Sequence, residues 1–102
     1  MTYKAKINAQ KTLNLLRNVA FELELQVEIQ RKAAEFICKY FLVQPDSRTS
    51  PEILISALLY HAGKITNRNI SRTDLCRVLD VSPKWAASQY RGIVQKIDKN
   101  LF

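Results

Sequence analysis

Apolar residues recur along this chain at steps of three and four, the spacing that lines one face of an α-helix, and no alternation lasts long enough to suggest a sheet. Leu13, Leu16, Ala20 and Leu23, with polar Lys11, Asn14 and Asn18 between them, predict a first helix from about Ala9 to Glu22. Leu23-Glu24-Leu25-Gln26 breaks that phase without a Gly or Pro. A second stripe follows, in which Ile29, Ala33, Phe36, Ile37, Tyr40 and Phe41 predict a helix ending near Leu42.

Gln44 to Thr49 reads as a loop, because Pro45 forces the residue before it out of helical geometry and Asp46 and Ser47 favour turns. Ser50-Pro51-Glu52 then gives a capping hydroxyl, a Pro where no amide bond is lost, and an acid at the positive end of the helix dipole. The third helix, about Pro51 to Gly63, is apolar almost all round and is expected to be central, with Gly63 as its C-terminal cap. Ser71 caps a short fourth helix ending near Leu79, with Leu75, Val78 and Leu79 facing inward. Asp80-Val81 make a tight connection to Ser82-Pro83, which open a fifth helix running to about Asp98 with Ala86, Tyr90, Ile93, Val94 and Ile97 inward. The fold class is therefore all-α, a five-helix bundle in one domain spanning residues 1–102.

Composition narrows the function. Sixteen Lys and Arg against nine Asp and Glu give a formal charge of +7, a balance that favours polyanionic partners. The excess is uneven: residues 1–63 carry eight basic and six acidic residues, whereas 64–102 carry eight and three. Cys38 and Cys76 stand alone in helical segments without C-x-x-C spacing, so both are read as reduced core thiols, with no zinc site and no disulfide. No apolar run reaches the ~20 residues of a membrane span, and the start lacks a signal peptide's apolar region, so a cytoplasmic protein with no membrane association is expected.

Two short helices joined by a brief turn, the second capped and basic, form the arrangement that places a recognition helix in a DNA major groove. Residues 70–97 have that helix-turn-helix form. Arg72, Arg77, Lys84, Arg91 and Lys96 are the candidate phosphate contacts; Lys84, Trp85, Ser88 and Gln89 are the candidates for base edges, with Ser82 opening the helix. Trp85 has a second reading, as an indole packed under the preceding turn, and the segment as a whole reads equally as the solvated face of an ordinary helical hairpin. His61 has no His, Cys or acid partner at ligand spacing and is read as a satisfied core residue. Glu22, Glu24, Glu28 and Glu35 fall on the outsides of helices. No nucleotide, hydrolase or metalloprotease motif occurs, so neither an enzyme nor a cofactor is expected.

Three stretches resemble the cyclin-like repeats of archaeal transcription factor B and eukaryotic TFIIB, in the family's order, over about Leu13 to Ile97. Phe21-Glu22-Leu23-Glu24-Leu25-Gln26, followed by Ala33-Ala34-Glu35, resembles the A-S-E-L-G-L-P junction between the first two helices. Arg48-Thr49-Ser50-Pro51-Glu52 with Ser56-Ala57-Leu58-Leu59-Tyr60-His61-Ala62 resembles the G-R-S-P-E signature and third helix. Ile70-Ser71 through Leu75, then Val81-Ser82 and Tyr90-Arg91, resembles the closing helix-turn-helix of the repeat that contacts promoters. The resemblance implies a cyclin-like bundle with a central third helix and a role at promoter DNA, beside TATA-binding protein or RNA polymerase, in an archaeon or an archaeal virus or plasmid. One repeat is present where the family has two, and the zinc ribbon is missing, so a homodimer that recreates the pair is a corollary. Glu24 and Asp80 stand where the family has Gly, and Ala87, Trp85 and Lys84 where it has a base-contacting Arg, a Thr and a Val, which implies a different sequence preference or none. The other reading is a protein-interaction module that binds TATA-binding protein, polymerase or a replication protein without touching DNA.

Overall fold

The computed structural model describes residues 2–98, which form five helices: α1 (Tyr3–Glu22), α2 (Val27–Val43), α3 (Pro51–Ile65), α4 (Arg72–Leu79) and α5 (Pro83–Asp98). No strand occurs among the described residues. α3 packs against all four other helices, whereas α1 does not touch α5 and α2 does not touch α4. The reason lies in its sequence. Ile53 through Leu59 are all buried, and they can be so only if neighbours cover every side of the helix.

Most boundaries follow the sequence signals. Ser50 Oγ accepts from the Ile53 amide at 3.3 Å, Ser71 Oγ from Asp74 at 3.2 Å, and Ser82 Oγ from Trp85 at 3.3 Å. The predicted α2 stripe is the buried one: Ile29, Ala33, Phe36, Ile37, Tyr40 and Phe41. In α5, Ala86, Ile93, Val94 and Ile97 are buried and Tyr90 is half-buried.

Four expectations need correction. α1 begins at Tyr3 and not near Ala9: Thr2 caps it, its Oγ1 accepting from the Ala5 amide at 3.1 Å, and Ala5, Ala9 and Thr12 extend the buried face. Their small side chains hide a core stripe that sequence periodicity reads from large residues. Cys38 is exposed, because it lies on the side of α2 opposite Phe36 and Ile37; Cys76 is buried as expected. In α4 the inward residues are Leu75, Cys76 and Leu79, with Val78 only half-buried.

Gly63 is not the cap of α3, which runs two residues further. The chain turns at Asn67 (φ 58°), with the Arg68 amide donating to the Gly63 carbonyl at 2.7 Å and the Asn67 amide to Lys64 at 3.2 Å, a Schellman closure. Gly63 is required by packing: a Cβ there would fall 2.8 Å from the Arg68 carbonyl oxygen. The same closure ends α1 at Glu24 (φ 50°) and α4 at Asp80 (φ 56°), where the Leu25 and Val81 amides reach back to Ala20 and Cys76. All three left-handed positions are non-glycine residues.

Candidate nucleic-acid interface

Three residues, 80–82, separate α4 from Pro83 at the start of α5, so the basic C-terminal helix leaves a tight turn whose geometry is fixed by left-handed Asp80. With about 100° per residue in a helix, Lys84, Ser88, Arg91 and Gln95 fall on one line of α5, opposite buried Ala86, Ile93 and Ile97. All four are exposed. Lys84 and Arg91 have no carboxylate or ring partner among the described residues. Two unneutralised cations about two turns apart on an outward line are suited to a polyanion. Ser88 uses its hydroxyl proton on the Trp85 carbonyl at 2.7 Å, which leaves its oxygen to accept.

The other sequence candidates divide between the two sides of that line. Trp85, Gln89 and Lys96 turn toward the 44–50 loop, where Arg48 and Thr49 join them along two adjoining clefts of about 430 and 400 Å³. Trp85 is 57% exposed, so its indole is not packed under the preceding turn. Ser82 is occupied as the helix cap. On the other side Arg72 lies over Tyr60, its Cζ 4.1 Å from the ring centroid and 5.1 Å from that of Tyr90. Lys64 approaches the same two rings at 5.4 and 5.8 Å. These contacts hold two cations side by side on an aromatic platform at the α4 entrance. Arg77 stands apart: it is on the solvent face of α4, paired to Asp74 at 3.2 Å.

His61, read from the sequence as a satisfied core histidine, is half-buried and has a hydrogen-bond partner on one ring nitrogen only among the described residues. The Tyr90 hydroxyl lies 3.2 Å from Nδ1, and Asp98 comes within 3.6 Å of Nε2, too far for a hydrogen bond. Burial pushes the imidazole below its ordinary value, Asp98 opposes this, and Lys64 adds to it. Burial also pushes the Tyr90 hydroxyl up, which keeps it protonated beside the ring. No group of three or more His, Cys, Asp or Glu that could hold a metal occurs among the described residues.

Sequence reasoning missed Arg48, Tyr60, Lys64, Gly92 and Gln95. Gln95 and Gly92 were available from helical spacing alone, since they follow Arg91 and Ser88 by four. Arg48 carried no such signal, because some forty residues separate it from the helix it lies against. Fold and site together define an all-helical protein with a basic, largely unpaired helix face flanked by cationic clefts. Compared with known protein families, curated proteins and solved structures, the chain has no match. Among the described residues no helix is long and apolar enough to cross a membrane.

Proposed function

We propose that this protein is a DNA-binding transcriptional regulator built like one cyclin-type repeat of transcription factor B, with α4 and α5 as a helix-turn-helix unit and α5 in the major groove of promoter-like DNA. The observation that carries the proposal is the outward line of Lys84, Ser88, Arg91 and Gln95, whose two cations have no internal partner. Such a line supplies both phosphate attraction and groups able to reach base edges. The cations at Arg48 on one side and Lys64 and Arg72 on the other are suited to the two backbones that border a groove.

The family resemblance gains support from the backbone. Glu24 and Asp80 adopt left-handed conformations, and these are the positions at which the transcription factor B pattern carries glycine. α3, matched to the family's central helix, touches every other helix. Ala87 in place of the base-contacting Arg leaves sequence preference to Lys84, Ser88 and Gln95.

Fluorescence anisotropy with a promoter-like and a random duplex tests the proposal at two salt concentrations. Wild type should bind with a steep loss of affinity as salt rises, and Lys84→Ala with Arg91→Ala should weaken binding and reduce the salt slope by about two, one per lost phosphate contact. Absence of wild-type binding to either duplex at low salt would sink the proposal.

A second reading, a module that binds TATA-binding protein, polymerase or a replication protein, is favoured by a different surface. Phe21 near the end of α1 and Val27 at the start of α2 are 82% and 65% exposed, and Val27 lines a groove of about 400 Å³ with Leu13, Leu16, Arg17 and Arg31. Exposed apolar residues grouped this way suit a protein partner. A complex that survives Lys84→Ala with Arg91→Ala but is lost in Phe21→Ala would identify that mode.

A further inference from the structure

Gly92 lies in the exposed interior of α5 with no reason in the fold to be glycine. A Cβ built there would meet nothing within 4 Å, and its φ is not positive. Gly63, by contrast, is demanded by a backbone oxygen 2.8 Å from where its Cβ would stand. Glycine inside a helix weakens it relative to alanine, so a bare position without an internal neighbour points outward, to something that approaches the backbone closely.

The surroundings of Gly92 indicate what that is. It lines the cleft of about 430 Å³ between α5 and the 44–49 loop, beside buried Ile93 and together with Gln44, Arg48, Gln89 and Lys96, Asp46 being the one acid. The cleft continues through Arg48, Thr49 and Gln89 to Trp85. From Trp85 to Lys96 the groove runs roughly 16 Å along the helix at 1.5 Å per residue. Arg48 has no ion-pair or ring partner, and the indole of Trp85 has no ring or cation against it, among the described residues. A planar guanidinium fork matches a phosphate, amides of Gln44 and Gln89 donate beside it, and an exposed indole offers a stacking face.

We propose that this groove seats one phosphodiester strand, with Arg48 clamping a phosphate, bare Gly92 admitting the backbone to the helix surface, and Trp85 packing against a base or sugar at one end. The proposal extends the α5 reading but rests on different residues. A nucleic-acid strand is favoured over an acidic peptide because the Lys84 and Arg91 line runs along the α5 side of the groove, Lys96 stands near one end and Arg48 faces them from the loop, a spread of cations that suits spaced phosphates. The strand has two sources, one backbone of a duplex or a single strand.

Trp85 is the chain's single tryptophan, so its emission reports on the groove directly. The full-length chain is titrated with an unlabelled duplex, with oligothymidylate and with polyglutamate, for wild type, Gly92→Ala, Gly92→Leu, Arg48→Ala and the Lys84→Ala, Arg91→Ala double variant. At least one nucleic acid should change Trp85 emission, and whichever does so identifies the source. Gly92→Ala should melt at a higher temperature than wild type yet bind roughly ten-fold more weakly, and Gly92→Leu more weakly still. Arg48→Ala should reduce the salt slope by about one.

If both Gly92 variants bind like wild type while the double variant does not, the groove proposal is overturned and the α5 reading stands. If the Gly92 variants lose affinity and the double variant does not, the groove stands and the α5 reading falls. No change in Trp85 emission with either nucleic acid at low salt overturns the groove proposal, and the anisotropy titration decides the α5 reading. A stronger response to polyglutamate than to either nucleic acid, or a lower melting temperature for Gly92→Ala, overturns the groove as a strand seat.

Discussion

Glu24, Asn67 and Asp80 each hold a left-handed backbone at the end of a helix, a conformation that costs roughly 1–2 kcal/mol for residues with a Cβ. Asn and Asp tolerate it best, and Glu has no such compensation. Glu24→Gly is therefore expected to stabilise the protein by about 1 kcal/mol and raise Tm by roughly 5 °C, more than Asp80→Gly. Gly63→Ala should lose about 1–3 kcal/mol, because its methyl meets backbone and not a yielding side chain. Thermal and urea melts of the three variants check both directions. His61 gives a pH dependence of definite sign. Its folded value is lowered from 6.5, chiefly by burial, so the folded state binds its proton less readily than the unfolded chain. The contribution of neutral His61 to stability is full above about pH 6.5 and is lost as pH falls through the folded value. Urea melts at pH 7.5 and 5.5 should show wild type less stable at the lower pH and His61→Gln nearly indifferent; equal slopes in the two proteins would contradict the assignment.

At the scale of elements, α3 carries the fold. Leu54 and Leu58, one turn apart on one side of α3, and Leu59, about 100° round from Leu58, are all wholly buried, so more than one side of the helix is covered. Leu58→Ala is expected to cost about 2–5 kcal/mol, which is a large part of the stability of a chain this size. A loss under 1 kcal/mol in equilibrium unfolding would refute the central placement. α1 and α5 are different in kind. Each buries one stripe and leaves the rest of its surface to solvent. Arg68 on the turn after α3 pairs with Glu28 on α2 at 2.9 Å; Arg68 is half-buried but Glu28 is largely exposed, so the pair orients the turn more than it stabilises it.

The whole molecule has two unlike surfaces, a basic one around α5 and an apolar one where Phe21 and Val27 stand. If the proposed transcription factor B-like reading holds, a homodimer would recreate the family's pair of repeats, with the exposed apolar residues Phe21 and Val27 as the contact between copies. Light scattering after size exclusion should give twice 11.8 kDa for wild type and a single chain for Phe21→Asp. A strict monomer, with and without duplex DNA, would remove the homodimer.

The sequence by itself determined the helices, because helix starts are local chemistry: a Ser hydroxyl three residues before an open amide, a Pro at the first position, and apolar steps of three and four. It also determined the α2 core stripe and the central place of α3, since an all-round apolar helix must be covered. It misplaced the start of α1, where Ala5, Ala9 and Thr12 are core residues too small to announce themselves, and it put Cys38 in the core. Of the site, the α5 cations were legible and their surroundings were not. Only the tertiary structure brought Arg48 against α5, laid Arg72 and Lys64 over Tyr60 and Tyr90, set Asp98 near His61, and left Gly92 bare. The physical reason is range: capping and periodicity act within about four residues along the chain, whereas a cleft is made by segments whose separation in sequence carries no record of their distance in space.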